Sequence, residues 1–132
     1  MIYTTYFAKL KKLPEGVIPV SICAKAPPGY QGPSYRNLAP KYDFYRKWKI
    51  DHDNDYFTMC YKDQVLRHLN PARVVAELYY QAGKASCDGD IALVCYEKSS
   101  DFCHRHLVAD WLRDSGYECE EFNFIKEKEN TK

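Results

Sequence analysis

The sequence predicts a single α/β domain over residues 1–125, a three-layer sandwich with a mainly parallel sheet and helices on both faces. Three observations carry this expectation. Ile91-Ala92-Leu93-Val94-Cys95-Tyr96 is an unbroken apolar run, the pattern of a strand covered on both sides in a parallel sheet. Residues 102–115 follow with Leu107, Val108, Trp111 and Leu112 at helical spacing, and residues 117–124 read as another strand. Strand, helix and strand in that order form a right-handed crossover unit, the building block of such sheets.

The other elements can be justified in order along the chain. Residues 2–7 are β-branched and aromatic and read as the first strand. Residues 10–13 are a short linker or helical turn stopped by Pro14, and residues 17–23 read as a second strand. Pro19 lacks an amide donor, which pushes that strand towards a sheet edge or a bulge. Residues 25–40 carry five prolines or glycines before Pro40 and form a long loop, a segment type often functional in compact domains. Residues 41–49 suit a short helix. Residues 53–69 suit a longer one, with Asn54 or Asp55 as cap and Phe57, Tyr61, Val65, Leu66 and Leu69 at spacings of three or four. Asn70-Pro71 is a cap followed by proline at the first helical position, opening a helix over 72–83 that Gly83 stops. Residues 126–132 are a mixed-charge tail expected to fray.

Composition narrows the function classes. Of 132 residues, 45% are apolar and 28% charged, which excludes a disordered or fibrous chain. Nineteen basic against 18 acidic side chains give a net charge of +1, which selects no partner by bulk electrostatics. No apolar run approaches the roughly 20 residues a membrane span needs, and the start of the chain lacks a secretory layout. The six cysteines, Cys23, Cys60, Cys87, Cys95, Cys103 and Cys119, are therefore read as reduced thiols of a cytoplasmic protein.

Chemistry concentrates between Cys95 and His106. A buried strand runs into the polar loop 96–100, and a helix starts near Asp101 or Phe102. Ligands bind at the carboxyl ends of strands in open α/β sheets, and the first turn of a helix offers free N–H groups to an anion. Cys103 in that turn is a candidate nucleophile, because the helix field favours its thiolate. His104 and Glu97 are candidates for proton transfer, Arg105 for anion contact, and Cys95 for the wall of the ligand pocket. Zinc is a weaker reading: Cys95, Cys103, His104 and His106 have ligand chemistry, but the adjacent Cys103 and His104 point about 100° apart on a helix. A phosphatase loop fails because Asp101 stands where its arginine would be. Walker loops and serine-hydrolase elbows are absent, so no cofactor is expected.

The stretch Leu93-Val94-Cys95-Tyr96-Glu97-Lys98, followed by Cys103-His104-Arg105-His106-Leu107-Val108-Ala109, resembles the C-terminal signature of the domain-of-unknown-function (DUF) 488 family. The resemblance implies an α/β fold and a shared motif containing Cys95, Glu97, Cys103, His104 and Arg105; it brings no activity with it. The family's x-G-H-S opening after the first strand is replaced here by Tyr3-Thr4-Thr5-Tyr6-Phe7, so that histidine has no counterpart.

A second candidate region spans residues 25–49. Lys25, Arg36, Lys41, Arg46, Lys47 and Lys49 interleave with Tyr30, Tyr35, Tyr42, Phe44, Tyr45 and Trp48, against Asp43 as the sole acid. Aromatic rings beside cations hold nucleotides and single-stranded nucleic acid. The competing structural reading packs Phe44 and Trp48, four apart, into the core. Folded over the start of the Cys103 helix, this loop would complete one pocket, with Tyr35 and Arg36 among its ligand contacts. The expected function is a pocket for a nucleotide or other small phosphate-bearing ligand, with Cys103, His104 and Glu97 as its chemistry. The alternative is a non-catalytic module binding a nucleotide, single-stranded nucleic acid or a protein.

Overall fold

A computed structural model of the chain describes residues 1–84 and 86–124; the tail expected over 126–132 lies outside them. Among the described residues a four-stranded parallel sheet forms in the order β2-β3-β1-β4: β1 (Ile2–Tyr6), β2 (Val17–Ser21), β3 (Asp90–Cys95) and β4 (Cys119–Glu121). Four α-helices accompany it: α1 (Tyr42–Asp51), α2 (Asn54–Gln64), α3 (Pro71–Gln81) and α4 (His104–Asp114). This is the α/β class the sequence predicts.

β3 lies inside the sheet, between β2 and β1, because both its faces are apolar. Ile91 and Leu93 enter the main core with Ile2 and Val20 of the neighbouring strands and with Val74, Leu78, Val108 and Leu112 from α3 and α4. Ala92 and Val94 point the other way and are equally buried. All four helices contribute to that one core. The β1-to-β2 connection contains a 3-10 helix over Phe7–Lys12, whose Phe7 packs against Cys23, Cys95 and Cys103.

Pro19 sits on edge strand β2, where its missing donor costs no ladder bond on the outer side. The long loop returns to shield that edge: Ser21 donates its N–H to Pro33 and accepts from the Tyr35 N–H. Local capping differs slightly from expectation. Asp53, rather than Asn54 or Asp55, caps α2 by accepting from the Tyr56 amide at 3.0 Å. The helical pattern over 53–69 is broken at Val65, and Leu66–His68 continue as a 3-10 turn, so Leu66 enters the core from a tighter helix. Asn70 caps α3 ahead of Pro71, and Gly83 follows that helix in the left-handed region (φ 78°), both as the sequence indicates. β4 is shorter than expected, ending at Glu121, after which Phe122 meets the Tyr3 ring edge-on at 5.0 Å.

Tyr61 fixes the position of the loop over the helices. It is fully buried and donates its hydroxyl to the Leu38 carbonyl at 2.6 Å, while its ring stacks on Phe57. Tyr61→Phe strands that carbonyl in the core and should cost about 1–2 kcal/mol in urea unfolding without changing the m-value. Tyr80→Phe, at a 71% exposed position, should cost nothing measurable. Equal losses in the two variants would remove the role assigned to this hydrogen bond.

Candidate functional site

The site is built where β3 ends and α4 begins. β3 delivers Cys95, fully buried, at its carboxyl end. A polar loop then doubles back, and Cys103, in extended conformation, becomes the N-cap residue of α4, one position earlier than the first-turn placement expected. Because α4 packs back along the sheet, the end of the strand meets the start of the helix, and Cys95 and Cys103 are joined by a disulfide. This corrects the expectation that all six cysteines are reduced thiols; Cys23, Cys60, Cys87 and Cys119 are the free ones. A separation of eight residues across a strand–loop–helix turn has no periodic signature, so the pairing is not visible in the sequence. While bonded, Cys103 is not a nucleophile.

His104, the first residue of α4, is buried. Its Nε2 lies 2.8 Å from the Ile22 carbonyl, which only accepts, so Nε2 carries the proton and Nδ1 is the free lone pair. Nδ1 faces Cys103 Sγ at 3.9 Å. Burial, then the Arg105 charge, pulls this imidazole down to about 4 against the pull of the Ile22 carbonyl. The ring is therefore neutral at pH 7, an acceptor beside sulfur and not a cation.

Arg105, expected as an anion contact, is also fully buried. Its Nε and Nη2 form a bidentate pair with Glu121 at 3.0 and 2.8 Å, and Nη1 reaches the Glu97 carbonyl at 2.5 Å and Cys95 Sγ at 3.2 Å. The Tyr6 ring lies 5.6 Å from the guanidinium. Glu121 feels burial, which raises its pKa, but donors from Arg105, Ser99 and Thr4 outweigh it and hold the carboxyl below its ordinary range. Glu121 is a residue that sequence reasoning missed; nothing in the spacing of 105 and 121 signals the pair.

Beside this centre opens a cleft of about 620 Å³. Cys103, His104 and Glu97 line it at one side, Cys23 to Lys25 and Tyr96 at another, and Tyr42, Tyr45, Trp48 and Lys49 of α1 face them. Phe57 and Phe102 complete the wall, Phe102 lying 5.7 Å from Trp48 and 5.3 Å from Phe57. The loop-and-helix region and the Cys103 helix thus meet in one depression. Phe44 is core, while Trp48 packs against the core and also lines the cleft. Tyr35 and Arg36 stand elsewhere: Tyr35 is buried against Glu77 at 2.5 Å, and Arg36 is exposed on a 3-10 turn outside the cleft. Phe57 was legible only as a helix-face apolar residue and Phe102 only as a helix start, because a cleft wall and a core wall use the same rings.

A metal would find Cys95, Cys103 and His104 with ligand atoms within 4.8 Å of one another. Thiolates are what such an ion requires, and here the sulfur–sulfur bond has consumed them.

Stability should follow His104 through pH. An unfolded histidine titrates near 6.5, so between about 6.5 and 4 the unfolded chain binds a proton the folded chain refuses. The stabilisation is complete above that window and is lost as pH falls through it, a change of about 3 kcal/mol. Chemical denaturation at successive pH values should show a clearly shallower fall for His104→Gln, although His106, half-buried and also lowered, remains. Superimposable pH profiles would sink this assignment.

The match to known families covers both halves of this cleft. A family model described as the active DUF488-N3 subclade matches residues 10–116, from the 3-10 helix after β1 to the glycine after α4. Comparisons with curated proteins and with solved structures give no match. With most of its length matched to that model, the chain belongs to the DUF488 family.

Proposed function

We propose that the cleft binds a nucleotide-type ligand, an aromatic ring system carrying an anionic group, and that the chemistry done on it belongs to Cys103, His104 and Glu97. The observation that carries this reading is the lining: six rings (Tyr42, Tyr45, Trp48, Phe57, Tyr96 and Phe102) and two lysines (Lys25 and Lys49) around one depression of small-molecule size. Tyr42 is 75% exposed and Tyr96 48% exposed, although neither is needed to close the core. Rings held at a cleft mouth in this way stack on planar ligands, and each stacked base contributes roughly 1–3 kcal/mol. Lys25 and Lys49 supply the charge for a phosphate, the part first assigned to Arg105.

Catalysis requires Cys103 as a thiol. Its sulfur then has a neutral imidazole nitrogen as proton acceptor at hydrogen-bonding range and Glu97 on the same wall, the arrangement of an activated nucleophile. The description of the matched subclade as active supports an enzyme over the non-catalytic alternative. The concave lining and small-molecule size of the cleft favour a mononucleotide-sized ligand over an extended nucleic-acid track.

Trp48 fluorescence, read in a Trp111→Phe background, tests the binding. A nucleoside monophosphate should quench it saturably, and the parent nucleoside should bind about tenfold more weakly, the effect of one lost charge-assisted contact. Lys25→Ala with Lys49→Ala should erase that difference. Equal affinity for the two compounds would remove the lysine contact, and quenching by neither would remove the cleft reading. Binding restricted to single-stranded oligonucleotides, falling steeply with salt, would favour the nucleic-acid module instead.

A further inference from the structure

The disulfide sits in an unusual place for a structural bond. The chain already buries a continuous apolar core, four other cysteines are free, and the bond closes a sequence separation of only eight, where a cross-link restrains the unfolded chain least. Its two sulfurs also have unlike surroundings. Cys103 caps α4 and, although only 3% exposed, is the bonded sulfur that lines the cleft. Cys95 is fully buried behind it, outside the cleft lining, with Arg105 Nη1 at 3.2 Å from its sulfur. A guanidinium at that distance suits a thiolate that is about to form, and its positive charge opposes a metal cation at the same sulfur.

We infer that the Cys95–Cys103 bond is a thiol–disulfide exchange centre, with Cys103 the sulfur attacked from the cleft and Cys95 the sulfur released beside Arg105. The thiolate of a small thiol attacks Cys103 Sγ; the Cys95–Cys103 bond breaks, and its electron pair leaves on Cys95 as a thiolate facing Arg105. Cys103 now carries a mixed disulfide. A second small-thiol thiolate attacks the small-molecule sulfur of that bond, releasing the oxidised disulfide and Cys103 thiolate. Two thiols have been oxidised, the protein pair has gained two electrons, and the protons lost by the thiols are shared between the new thiolates and solvent. Run backwards, a disulfide substrate reoxidises the pair. The centre stands on the sulfur environments alone and does not depend on the nucleotide reading, whose titration with Trp48 fails or succeeds separately.

The full-length chain and its serine variants test this with glutathione as the probe. After equilibration with oxidised glutathione, denaturation and alkylation should modify four cysteines, and after reduced glutathione all six. Cys95→Ser should trap a glutathionyl group on Cys103 at least about tenfold faster than Cys103→Ser traps one on Cys95. If Cys95→Ser fails to fold, acid-quenched wild-type protein part-way through reduction should carry its glutathionyl group on the peptide holding Cys103. Six modified cysteines after oxidised glutathione, glutathionylation at Cys95 in preference to Cys103, or thiols exposed only by a chelator would each overturn the proposal, the last in favour of a metal centre.

Discussion

The buried guanidinium of Arg105 is the constraint on which the functional end of this molecule depends. Four of its five N–H groups are satisfied, by Glu121 of β4, the Glu97 carbonyl and Cys95, and its remaining environment includes the Tyr6 ring at the end of β1. One side chain of α4 therefore ties together the carboxyl ends of three strands and the loop that leads to the helix. Removing one partner of such a pair leaves an uncompensated buried charge, which costs about 3–5 kcal/mol. The same commitment turns its donors inward, to Glu121, the Glu97 carbonyl and Cys95.

From that anchor the cleft follows. β2 and β3 end side by side, so the residues after them, Cys23 to Lys25 and Tyr96 to Glu97, emerge at the same edge of the sheet. α4 is held with its N-terminus against that edge, and α1, set by Phe44 in the core and Trp48 against Phe102, closes the far wall. Parallel α/β sheets present ligands at the carboxyl ends of strands because the connecting segments there diverge. Here the divergence is between the segment after β2, which carries the aromatic loop and α1, and the segment after β3, which carries the cysteine and histidine.

The cysteine and histidine chemistry is set by burial more than by local sequence. His104 is neutral because the core and the neighbouring Arg105 both disfavour a second positive charge, and its tautomer is fixed by the Ile22 carbonyl. Burial pushes up the thiols of Cys23, on the cleft wall beside the pair, and of Cys119, at the opposite end of the sheet, to about 12 and 11. Only the pair at the strand–helix junction combines a sulfur on the cleft with a sulfur beside a cation. The free and the bonded cysteines thus differ in surroundings, while their residue type is the same.

Much of the fold was legible in the chain itself. The apolar run of β3 declared a strand covered on both faces, Pro19 marked an edge, and Asn70-Pro71 and Gly83 bounded a helix, because each depends on backbone chemistry or on a period of two or 3.6 residues. The location of the site was legible too, since a strand running into a polar loop and a helix bearing Cys, His and Arg has a fixed geometry. What each of those side chains does was decided by contacts distant in sequence: Glu121 claimed Arg105 across 16 positions, the Ile22 carbonyl fixed His104 across 82, and Cys95 met Cys103 only because α4 folds back on its strand. Period and propensity report which face a residue turns to the core, and they carry no record of which partner waits there.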